Sequence, residues 1–227
     1  MYDFKATVDE YYRKIEDGHR RFLSWEHCYL YFYKNREKID SDYGALMLFS
    51  YLASWGMLRG SFLMNHDYKI HKELVEKLTK EHGILWNDIN SITWQDIKSA
   101  DEEILKYYEK FKENKNKCTD EISPVLRTKI LLGIFGCTPA YDRFFKKGID
   151  IYNNKNECNL IQKFGENSYQ KLCDFYSRQE KLELNFHTNE NLKYPPMKLI
   201  DMFFWEIGLE AFEEEKRKFK NNKYVRI

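Results

Sequence analysis

A single carboxylate in a basic setting carries the most chemical content in this chain. Over residues 124–148, PVLRTKILLGIFGCTPAYDRFFKKG, Asp142 is the only acid, surrounded by Arg127, Lys129, Arg143, Lys146 and Lys147. Cations gathered around one carboxylate suit the capture of a polyanion, and equally suit a buried ion pair. Asp142 follows Pro139 by three residues, which places it near the start of a short helix. There a carboxylate accepts backbone N–H bonds and faces a groove. Three roles stay open for it: helix cap, partner of Arg127 or Arg143, or catalyst. Arg59 ends an apolar stretch, WGMLRGS. Such a charge either reaches a cleft and binds phosphate, or pairs with Glu26, Asp142 or Asp201. Asp201, set among Ile200, Met202, Phe203, Phe204 and Trp205, is expected to pair with Arg59 or Arg127. The candidate site is therefore Asp142 as the acid, with Arg59, Arg127, Lys129 and Arg143 for phosphate.

The helix, Gly-bearing turn and Pro-x-x-Asp of 124–148 resemble part of the helix-hairpin-helix DNA glycosylase superfamily. That resemblance implies an Asp in a helical cleft, carried here by Asp142, which activates water or stabilises a developing sugar cation. It also implies helix N-termini that meet the DNA backbone. The family's Leu-Pro-Gly-Val-Gly type hairpin is missing, and no nucleophilic lysine carries over. The last helix, LIDMFFWEIG, adds Asp201 and Trp205 to the likeness. A different segment, RRFLSWEHCY at 20–29, resembles the Arg/His motif of the HEPN ribonucleases. This second resemblance implies Arg21 and His27, with Glu26 nearby, acting on a scissile phosphate across a dimer. Phe22 stands where a polar residue often follows the family arginine. Read by itself, His27 is a partly buried ring that donates to a carbonyl and packs on Trp25.

These residues must be positioned by helices. Only 10 Gly and 4 Pro punctuate 227 residues, and no stretch alternates strictly between apolar and polar, so the expectation is an all-α bundle. One short hairpin of unknown place is allowed. The apolar block 43–64 predicts a central helix, with Gly56 and Gly60 on one face for close backbone approach. Residues 68–82 read as an amphipathic helix stopped at Gly83. Thr93 predicts a cap, and Ser123 with Pro124 opens a helix that stops at Gly136. Pro139 is expected to start a short helix ending near Gly148, and Pro195–Pro196 to start the last one. The run KENKNKCTDE, 112–121, is the expected loop or lobe boundary in a single domain.

Composition narrows the classes. Aromatic residues make up 17% of the chain, so rings must build much of the core. The formal net charge of +1 argues against a general nucleic-acid coat protein and leaves a local basic patch open. Five scattered cysteines with no CxxC pair suit reduced thiols in a cytoplasmic protein. No histidine spacing suits a metal and no phosphate-binding glycine loop is present, so no metal or cofactor is expected. No membrane association is expected. The basic stretch 216–226 is either a solvated helix end or a nucleic-acid contact. The first functional expectation is a cytosolic nucleic-acid-acting protein, base-excision-like or defence-associated, with DNA or RNA as partner. A non-catalytic helical scaffold that binds a protein partner is the second, and a HEPN-type ribonuclease the third. Oligomeric state stays open.

Overall fold

The computed structural model describes residues 2–16, 21–111, 122–179 and 185–224. Within them the chain is all-α. Its helices are α1 (Phe4–Glu16), α2 (Leu23–Lys34), α3 (Ser41–Ser54), α4 (Lys72–Glu81) and α5 (Trp94–Glu109), followed by α6 (Pro124–Ile134), α7 (Arg143–Asn156), α8 (Glu166–Ser177) and α9 (Pro196–Tyr224). Short 3-10 turns join α3 to α4 and α4 to α5. The expected hairpin lies just before α9. His187 pairs with Lys193 in one antiparallel bridge, flanked by Thr188 N–H donating to Leu192 O and Tyr194 N–H to Phe186 O. The lobe boundary expected at 112–121 lies outside the described residues, as does part of the basic 216–226 stretch.

Local capping signals set many of the ends. The Thr93 hydroxyl and the Asp96 side chain close a capping box at the start of α5. Ser123 Oγ accepts from Leu126 N–H at the start of α6, with Pro124 in the first turn. Gly136 ends α6 at φ +67°, and its N–H donates to Leu131 O and Leu132 O.

The centre of the bundle is α9, not the 43–64 block. Residues 197–208 are buried on every side. By contrast α3 stops at Ser54 and exposes Tyr43 and Leu46. Gly56 and Gly60 sit beyond its end at φ +73° and +66°. A Cβ at Gly60 would meet nothing within 4 Å, so these glycines supply left-handed turn geometry rather than a close approach. Close approach occurs instead between α7 and α9. A Cβ at Gly148 would fall 1.8 Å from Phe204 O, and one at Gly208 would fall 2.0 Å from Phe144 O. The two helices therefore touch backbone to backbone at two reciprocal glycines, and α7 runs on well past Gly148. Around α9, α1 lays down Phe4, Val8, Tyr11 and Ile15, one face of an amphipathic helix.

A buried loop, 135–141, runs between α6 and α7, and its backbone groups need partners inside the protein. Asp201 Oδ1 accepts Ala140 N–H at 3.0 Å, and Thr128 Oγ1 accepts Tyr141 N–H at 3.1 Å. Trp25 and Trp86 donate their indole N–H to Leu132 O and Ile134 O at 2.9 and 2.8 Å, covering carbonyls at the end of α6. The partner of Asp201 is Lys198, one turn earlier, at 2.9 Å. It is neither Arg59 nor Arg127. Asp201 sits in an apolar helix because it anchors the buried loop, and Lys198 balances its charge. Burial lowers the pKa of Lys198, while Asp201 pulls it back up.

Candidate functional site

Asp142 is the N-cap of α7. Its φ and ψ are −79° and 179°, and Oδ1 accepts Phe144 N–H at 3.0 Å and Phe145 N–H at 3.1 Å. Pro139 belongs to the loop before it, so the short helix expected from Pro139 begins instead at Arg143. Asp142 Oδ2 receives Lys129 Nζ at 3.1 Å. Its ion-pair partner is thus Lys129 of α6, rather than Arg127 or Arg143. The ammonium of Lys129 also lies 4.6 Å from the centre of the Trp55 ring. Side-chain exposure is 5% for Lys129 and 14% for Asp142, so the pair is covered but reaches a surface.

That surface is a concave pocket of about 280 Å³, into which Arg21, Arg59, Lys129, Asp142 and Arg143 all open. Trp55 and Trp205 wall it, their rings edge to face at 5.7 Å. The Arg21 guanidinium stands 5.0 Å from the Trp55 ring and 5.8 Å from Trp205. Arg143, the first residue of α7, stacks over Phe144 and Phe212 at 4.5 and 5.1 Å. Arg59 is exposed in the turn after α3. With Asp142 balanced by Lys129, three arginines remain without a carboxylate partner among the described residues. The pocket is a cationic mouth with an aromatic wall and one ion pair on its floor.

The indole nitrogens set this pocket apart. Trp25 and Trp86 spend theirs on helix carbonyls. Trp55 Nε1 and Trp205 Nε1, on the pocket walls, are buried and have no hydrogen-bond partner among the described residues. Buried N–H groups without acceptors are uncommon and costly.

Two expected sets come apart. Arg127 is not in the pocket; it pairs with Asp101 of α5. Burial raises the Asp101 pKa against the opposing pull of Arg127. Arg21, Glu26 and His27 do not converge. Arg21 opens on the basic pocket, whereas Glu26 is buried and accepts from Tyr194 Oη and Asn189 N–H. His27 is exposed on a different cavity between α2 and α3, beside Tyr31 and Tyr43, and is neither half-buried nor packed as expected. The wall residue Trp55 was missed in the sequence. Its signal was a tryptophan beside the Gly-bracketed turn that carries Arg59.

Among the described residues no group of three His, Cys, Asp or Glu side chains is placed to hold a metal. No described helix is long and apolar enough to cross a membrane. No protein-family model matches the chain, and neither a curated protein nor a solved structure matches it.

Proposed function

We propose that the protein acts on nucleic acid, seating one nucleotide in the Trp55 pocket. The observation that carries this reading is convergence. Arg21, Arg59 and Arg143 come from three separate places in the chain, and all open on one cavity beside an aromatic wall. Guanidinium groups recognise phosphate oxygens in a bidentate fork, and an indole face accepts any base by stacking. A volume of about 280 Å³ lies at the small end of ligand pockets, which suits one base or sugar-phosphate rather than a whole duplex. Asp142 is the one carboxylate in this lining among the described residues. Two backbone N–H groups and Lys129 fix its direction, and a fixed carboxylate stabilises positive charge that develops on a bound sugar.

The experiment is fluorescence anisotropy with labelled single-stranded DNA, single-stranded RNA and duplex DNA at several salt concentrations. Binding should weaken as salt rises. Arg59→Ala and Arg143→Ala should each weaken it. Each should also flatten the salt slope, by about 0.7 for every single-strand phosphate that is no longer neutralised. Cleavage or base release by the wild type, abolished in Asp142→Asn with binding retained, gives Asp142 its chemical role. Absence of salt-sensitive binding to all three substrates rules the reading out.

A further inference from the structure

A second cavity, of about 790 Å³, lies between α1 and α9 and shares Arg21 and Trp205 with the basic pocket. Its charge is of the opposite sign. Among the described residues, five carboxylates, of Glu10, Glu206, Glu210, Glu213 and Glu214, line it against three cations. Two of those cations are paired with carboxylates, and the third is shared with the basic pocket. Arg21 lies on the tryptophan faces, Arg217 is 3.7 Å from Glu213, and Lys14 pairs with Glu206 Oε1. Lys155 of α7 feels Glu210 and Glu214 from farther off, with its ammonium on Tyr2 Oη at 3.1 Å. Glu10, Glu210 and Glu214 are exposed and have no ion-pair partner among the described residues.

Glu206, in the cavity lining, supplies the second observation. Glu206 is only 4% exposed, and its Oε2 is buried with no donor among the described residues. A buried carboxylate oxygen without a partner is a demand for an N–H. Lys14 already displays the chemistry that this carboxylate accepts, an alkylammonium on its other oxygen. Between Glu206 and the outer carboxylates, half-buried Leu209 presents apolar surface, with the edges of Phe22 and Trp205 beside it. An ion without a carbon chain would leave that surface uncovered. A ligand with ammonium groups at both ends of a methylene stem satisfies all three parts.

We propose that this cavity binds a linear polyamine. One terminal ammonium donates to Glu206 Oε2, the methylenes lie along Phe22, Trp205 and Leu209, and a second ammonium sits among Glu10, Glu210 and Glu214. This site is distinct from the nucleotide pocket in its ligand and stands without it.

Calorimetric titration of the full chain with spermidine tests the proposal, with sodium chloride controls matched in ionic strength. Saturable binding at one site is expected, with quenching or enhancement of tryptophan emission. Glu206→Gln should weaken it by about tenfold or more, the loss of one charge-assisted hydrogen bond. The exposed double variant Glu210→Gln/Glu214→Gln should weaken it several-fold, and it decides the matter if Glu206→Gln fails to fold. No saturable binding beyond the salt control overturns the proposal, as does wild-type affinity in the folded variants. Tighter binding of a lysine-rich peptide than of spermidine also overturns it, in favour of a protein partner.

Discussion

Lys129 Nζ and Asp142 Oδ2 lie 3.1 Å apart, while the other oxygen of the same carboxylate caps α7. One side chain thus starts a helix and neutralises a nearly buried ammonium. Asp142→Ala removes both. It should lower stability by about 3–5 kcal/mol, because the larger share comes from Lys129 left buried and unpaired. Asp142→Asn keeps a capping oxygen and should cost less. The double variant Lys129→Met/Asp142→Asn should recover part of the loss. Urea denaturation of these proteins and of the Lys129→Met single variant provides the measurement. Double-variant effects that simply add would mean that the pair is not coupled.

Two glycines should tolerate no side chain. Gly148→Ala and Gly208→Ala each drive a Cβ to within about 2 Å of a backbone oxygen of the facing helix. Neither contact can be relieved by rotating a side chain, so α7 and α9 must move apart. Each variant should lose more than about 3 kcal/mol or fail to accumulate as folded protein. Gly60→Ala, in open space, should cost only the strain of its positive φ. Thermal melts of the three variants should rank them in that order.

Acid should destabilise the fold through His71. This ring is buried, its Nδ1 is hydrogen-bonded to the Tyr108 hydroxyl, and Nε2 has no partner among the described residues. Burial pulls its pKa down to about 3 from 6.5. The unfolded chain takes up a proton near 6.5 and the folded one only near 3. Stability is therefore full above about pH 6.5 and is lost as pH falls from there toward 3, by an order of ~5 kcal/mol at most. His71→Leu removes this contribution. Its stability should fall less steeply over that window, as read by denaturant midpoints at successive pH values.

Trp55 should report on ligand and hold it. Replacing it with alanine removes a stacking surface worth about 1–3 kcal/mol per base, so single-strand affinity should drop by roughly 5- to 150-fold. Trp55→Phe should keep much of it. Equal affinity for wild type and Trp55→Ala, in folded proteins, would place the base elsewhere.

Much of the helix order was legible because caps are local. Thr93, Ser123 with Pro124, Gly136 and Pro196 mark ends within a few residues of the signal. The overlong 43–64 helix was misread because apolar composition continues through Trp55, Met57 and Leu58 after the backbone has turned at Gly56. Charge partners were harder. Asp201 with Lys198 is an i, i+3 pair that spacing alone permits, but residues 195–201 give no hint that Asp201 also holds the distant Ala140 N–H. Arg127 and Lys129 are two residues apart on α6. A helix turns them to different sides, one toward Asp101 and one toward Asp142. Local charge at 124–148 thus overstated the site by Arg127 and omitted Arg21, Trp55 and Trp205.

The place of α9 has a consequence for synthesis on the ribosome. The Phe4 ring lies tilted against Phe203, with centroids 4.8 Å apart, and α1 has its main partner in the last helix of the described chain. While the nascent protein grows, α2–α6 can pack on one another, but α1 and α7 lack the helix that covers their apolar faces. Docking of α1 and α7 must therefore follow the emergence of residues 197–207.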